Sequence, residues 1–162
     1  MGRMKEGDEV MDKPMRVVLG ADHGGFRLKE IVKGYIRLKN IEVEDCGTHG
    51  VESVDYPDFA YPVGRAVLEG RADFGILVCT TGNGMAMTAN KIPGIRAALC
   101  TNAYMAHMSR LHNDANVLAL GEGVTDDETA LEMVDIFLST EFEKGRHVAR
   151  VEKIDAGLSC FR

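Results

Sequence analysis

Short runs that are apolar from end to end, alternating with stretches of helical periodicity, constrain this chain more than any other feature. Val17-Val18-Leu19-Gly20-Ala21, Phe74-Gly75-Ile76-Leu77-Val78-Cys79 and Val117-Leu118-Ala119-Leu120 have no polar face. A strand of that kind must be covered on both sides, which is the condition of a parallel sheet with helices packed against each face. Two weaker strand signals, Ile41–Glu44 and Ile95–Leu99, bring the count to five. The segments between carry apolar residues at threes and fours: Phe26, Leu28, Ile31, Val32, Tyr35 and Ile36 in the first, Phe59, Ala60, Val63, Ala66 and Val67 in the second. A Met/Ala-rich helix running to about Lys91 and a helix over 102–112 follow. A capping box at Thr125-Asp126-Asp127-Glu128 opens another, and a last helix starts near Gly145.

These alternations predict a single three-layer α/β domain over residues 16–162, Rossmann-like and doubly wound, with a C-terminal helix. Residues 1–15 are polar and aperiodic and read as a flexible leader. Right-handed crossovers place every strand-to-helix loop on one edge of the sheet. The loops at 22–25, 45–57, 80–84 and 100–103 therefore share that edge, and ligands of such sheets bind there.

Composition narrows the partners. Nineteen Lys and Arg against 25 Asp and Glu give a net charge of −6, the opposite of a nucleic-acid binder. No apolar run approaches the ~20 residues of a membrane helix, and the charged start lacks the apolar core of a secretory signal. Cys46, Cys79, Cys100 and Cys160 form no CxxC pair and no zinc-finger spacing with histidine. The expectation is a reduced, cytoplasmic protein with free thiols, contacting neither membrane nor nucleic acid.

The richest local feature is Cys79-Thr80-Thr81-Gly82-Asn83-Gly84, a strand running through a glycine-bearing loop into a helix. Amides at a helix start suit an anion or a developing oxyanion, and their field favours a thiolate. The same spacing fits a plain buried cysteine beside a glycine turn. A cysteine phosphatase loop would need arginine where Met85 stands, and a redox pair would need a second cysteine at Gly82. Asp22-His23 ends the first strand on the same edge, where a histidine suits binding or proton transfer and also fits a simple turn. Arg146 and Arg150 share a helix face and match a phosphate or carboxylate, or a solvated helix end. His112 lies just before a strand, on the edge away from the loops, so a single chain keeps it off the site.

Taken together, the stretches GADHGGFRLKE, GTHGVESVDYPDFA, DFGILVCTTGNGM, ANKIPGIRAALC, SRLHNDANVLALG and GRHVARV, in this order, resemble the type B ribose-5-phosphate isomerase family, which includes allose- and galactose-6-phosphate isomerases. The resemblance spans about residues 16–154. It implies a five-stranded parallel sheet of order 2-1-3-4-5, and homodimers or dimers of dimers with sites at the subunit interface. It implies aldose–ketose isomerisation of ribose 5-phosphate and ribulose 5-phosphate through an enediolate, with no metal or organic cofactor. Cys79 would be the base, and Thr81 with the amides of Thr80, Gly82, Asn83 and Gly84 would hold the enediolate oxygen. Asp22 and His112 of a neighbouring subunit would open the sugar ring. His23, Arg146 and Arg150 would hold the phosphate, and Tyr56 and Asn113 would line the pocket. Two departures stand out: Thr80 where the family commonly has glycine, and Gly123 where many members have arginine. They leave allose 6-phosphate, a tetrose phosphate, or phosphate binding without catalysis as the other readings.

Overall fold

The five apolar or half-apolar runs become strands, and each intervening stretch of helical period becomes a helix. The computed structural model describes residues 13–161, so the expected leader lies outside the described residues up to residue 12. Its last residue, Met15, packs against the core. In chain order the elements are β1 (Arg16–Ala21), α1 (Phe26–Arg37), β2 (Glu42–Asp45), α2 (Pro57–Leu68), β3 (Phe74–Cys79), α3 (Asn83–Ala89), β4 (Ala97–Leu99), α4 (Ala103–Asn113), β5 (Val117–Gly121), α5 (Asp127–Ser139) and α6 (Val148–Ala156). Short 3₁₀ segments, Gly145–His147 and Gly157–Phe161, flank α6. No helix among the described residues is long and apolar enough to cross a membrane.

All five strands are parallel, as expected, and the sheet is doubly wound. The observed order is β2-β1-β3-β5-β4, so the expected 2-1-3-4-5 has its last two strands exchanged. Burial explains the exchange. Every residue of β5 is buried, and it takes the inner place between β3 and β4. β4 has only three residues, each partly exposed, and sits at the edge.

The two faces carry separate cores. Val17, Leu19, Ala21, Ile76 and Val78 pack with α1, α4 and α5, while Val18, Leu77 and Cys79 pack with α2 and α3. This period-2 alternation along β3 sends Cys79 toward the side of the sheet where α3 begins. Phe137 of α5 is fully buried and meets Phe74 edge-on at 5.7 Å.

Two details depart from the sequence pattern. Asp126, not Thr125, caps α5 by accepting the Thr129 amide at 2.8 Å, and Thr125 Oγ1 is buried without a partner. Lys29 is fully buried, on the same face of α1 as Val32 and Ile36. Its Nζ lies 2.7 Å from Asp45 and from Glu30, and Lys33 reaches Asp45 at 2.7 Å. Burial alone would raise the Asp45 carboxyl. The two ammonium groups and the Gly47 amide outweigh it and hold the carboxyl down at about 2.

Candidate active site

The carboxyl ends of β1 and β3 are neighbours, and the chain leaves them in opposite directions, toward β2 and toward β4. Such a switch point opens a crevice above the sheet. Asp22, buried, closes the turn after β1: its Oδ1 accepts the Gly24 amide at 2.9 Å and its own amide reaches Val78 O at 3.3 Å. His23 next to it is exposed, and its Nδ1 accepts the Val54 amide at 3.2 Å. A neutral His23 therefore carries its proton on Nε2.

Cys79 ends β3 with 5% of its surface exposed, and its Sγ accepts a hydrogen bond from the Gly82 amide at 3.1 Å. That bond needs a left-handed residue at the start of α3, and Gly82 has φ +82°. Thr81 Oγ1 takes the Asn83 amide at 3.3 Å and the Asn83 side-chain amide at 3.4 Å. The Tyr56 ring lies so close over Gly84 that a Cβ there would stand 2.8 Å from it. The loop after β5 supports this arrangement from behind. Glu122 and Gly123 amides donate to the Cys79 and Thr80 carbonyls, both at 2.9 Å, and the Glu122 carboxylate caps α1 through the Leu28 amide at 3.0 Å. The space beside Gly123 belongs to Thr80, whose carbonyl would be 2.9 Å from a Cβ at 123.

Burial pushes Cys100 up to about 11, and burial with nearby Glu44 also raises Cys46. All four cysteines are free, as the spacing predicts.

His112, Asn113, Arg146 and Arg150 do not join this crevice. His112 and Asn113 end α4 and lead into the amino end of β5. The segment carrying the arginines is tied to that same amino edge, because the Glu143 amide donates to Leu111 O at 3.0 Å and Asp155 of α6 pairs with Arg96 at 2.8 Å just before β4. Both arginines are exposed, and neither has a charge partner among the described residues. The strands separate this set from Cys79 by roughly 17 Å. Clefts of about 440 Å³ beside α6 and about 460 Å³ between α3 and β4 are present, and neither is lined by Cys79. One chain thus presents two sets of candidate residues on opposite edges.

Three groups escaped the sequence pattern. Glu122 acts through loop contacts invisible in a linear reading. Glu143 and His147 surround His112: the two imidazoles stack with centroids 4.2 Å apart and planes 14° from parallel. Their four-residue spacing was visible, but their pairing with α4 was not.

The family model described as Ribose/Galactose Isomerase matches residues 17–154. The ribose-5-phosphate isomerase B of Escherichia coli is 45% identical over 141 residues, covering 87% of this chain and 95% of that protein. The D-erythrulose-4-phosphate isomerase of Pectobacterium atrosepticum is 40% identical, covering 86% and 93%. The structure of Clostridium thermocellum ribose-5-phosphate isomerase B superposes with a TM-score of 0.88 at 52% identity, covering 91% of this chain and all of that one.

Proposed function

The chain belongs to the ribose/galactose isomerase family and is a sugar-phosphate isomerase; from that premise we propose that it interconverts ribose 5-phosphate and ribulose 5-phosphate, with Cys79 as the base. The observation that carries this reading is the Cys79 sulfur at the β1/β3 switch point, hydrogen-bonded by the Gly82 amide at 3.1 Å. An N–H aimed at sulfur stabilises the thiolate, the form able to take a proton.

In the proposed reaction, Asp22 and His112 assist opening of the furanose, His112 being supplied by a second copy of the chain. Cys79 removes the proton from C2 of the open aldehyde. The electron pair of that C–H bond becomes the C1–C2 double bond, and the carbonyl pair moves onto O1. Thr81 and the amides of residues 80–84 stabilise the enediolate oxygen as its charge develops. The O2 proton passes to O1, the O2 electron pair forms the C2 carbonyl, and the C1–C2 double-bond pair takes back the proton held by Cys79 at C1, which yields the ketose. His23, Arg146 and Arg150 hold the phosphate away from the reacting carbons, and that remote binding fixes the sugar's orientation. Tyr56 over Gly84 and Asn113 form walls of the sugar pocket. The reaction needs no metal or organic cofactor.

The half-sites on opposite edges support an assembly in which the carboxyl edge of one chain meets the amino edge of another. A second substrate reading, a four-carbon sugar phosphate, is favoured by Thr80: its side chain leans on Gly24 and its carbonyl fills the space beside Gly123, which shortens the room at the phosphate end. Assaying the purified protein against four-, five- and six-carbon aldose phosphates decides between them. Highest kcat/KM is expected with ribose 5-phosphate, and a tenfold preference for a tetrose phosphate would replace it as substrate.

A further inference from the structure

His112, Glu143 and His147 make a cluster that the proposed reaction uses only in part. Glu143 Oε2 lies 3.0 Å from His147 Nε2 and 3.7 Å from His112 Nε2, and the three donor atoms all fall within 4.8 Å of one another. The His147 side chain is only 7% exposed, and its Nε2 has no hydrogen-bond partner, since the nearby carboxylate is off the line of a bond. A buried ring nitrogen left in that state is uncommon. The backbone beneath is fixed to α4 by the Glu143 amide on Leu111 O and by Arg110 on Thr140 O at 3.2 Å.

We propose that these three side chains form a binding site for one divalent transition ion of the zinc class, and that its occupancy inhibits the isomerase. Two imidazole nitrogens and a carboxylate suit zinc, cobalt or nickel, whereas magnesium and calcium seek all-oxygen shells. Bonds of about 2.0–2.2 Å require ligand atoms about 3.3 Å apart in a tetrahedron. The two carboxylate spacings straddle that value, and the imidazole nitrogens, within 4.8 Å of each other, converge on an ion by turning the rings out of their parallel stack. His112 is about one-third exposed in the single chain, which leaves a fourth position open on that side. An ion held there engages the His112 nitrogen and withdraws it from the sugar. This inhibitory half rests on the role given to His112 above; binding itself does not.

The test is calorimetric titration of chelator-treated, full-length protein with zinc ion. One ion per chain is expected, weakened more than about tenfold by Glu143→Gln and by His147→Gln, because losing even an outer partner of a metal ligand costs about that much. Glu143 is exposed, so its variant folds even if the buried His147 change does not. Cobalt in place of zinc should give visible d–d bands that Glu143→Gln abolishes, and Cys160→Ser should leave binding intact. Zinc should inhibit sugar-phosphate turnover reversibly, with a midpoint matching the binding curve. No binding, or binding undiminished by Glu143→Gln, overturns the site. Binding without inhibition of an active enzyme overturns the inhibitory half. Absence of turnover on every sugar phosphate would instead refute the reading of function and leave the ion site standing.

Discussion

At the residue scale the proposed chemistry concentrates on a sulfur whose hydrogen-bond donor is a backbone amide. Cys79→Ala is expected to lower kcat by ~10²–10⁴, the worth of a general base, with thermal stability nearly unchanged because the side chain is small. Near-wild-type turnover would remove Cys79 from the reaction. Arg150→Ala should raise KM for the phosphorylated sugar tenfold or more while changing kcat little, by loss of a charge-assisted contact worth about 1.5–3 kcal/mol. A KM that stays put places the phosphate elsewhere. Cys79 and Asp22 were legible because a strand end followed by glycine is a local signal. The stacking of His112 on His147 was not, because it joins side chains 35 positions apart through packing that no periodicity encodes.

At the scale of elements, the buried Lys29 joins α1 to the end of β2, and Asp45 carries that link onward to the Gly47 amide at 2.9 Å. The loop that leads to Tyr56 starts from this fixed point. The depressed Asp45 carboxyl, at about 2 against an ordinary 3.8, corresponds to about 2 kcal/mol of stability. That contribution is fully present above the unfolded value and is lost as pH falls from about 4 through 2. Urea midpoints measured across this range should show the gap between wild type and Asp45→Asn narrowing with acidification. A gap independent of pH would mean that the ion pair does not set it. By helical period Lys29 shares the face of Val32 and Ile36, but the period records position on a face and not the charged partners opposite. The exchanged order of β4 and β5 has a similar origin: connection rules favour sequential neighbours, while complete burial of Val117–Gly121 demanded the inner place.

At the scale of the whole molecule, the α/β class and its layers were legible from apolar runs and helical periods, while the proposed meeting of two edges involves more than one chain. If the sites form between copies, mixing Cys79→Ala protein with His112→Asn protein and allowing subunits to exchange should restore turnover. Half the dimers are then mixed and each carries one intact site, so about a quarter of wild-type activity returns. No recovery after demonstrated exchange would confine the site to one chain. Roughly 17 Å of strand separates the two sets of residues within one chain. If the sites form between copies, a newly made chain is inert until it meets a second, and activity rises with the square of chain abundance while protein is scarce.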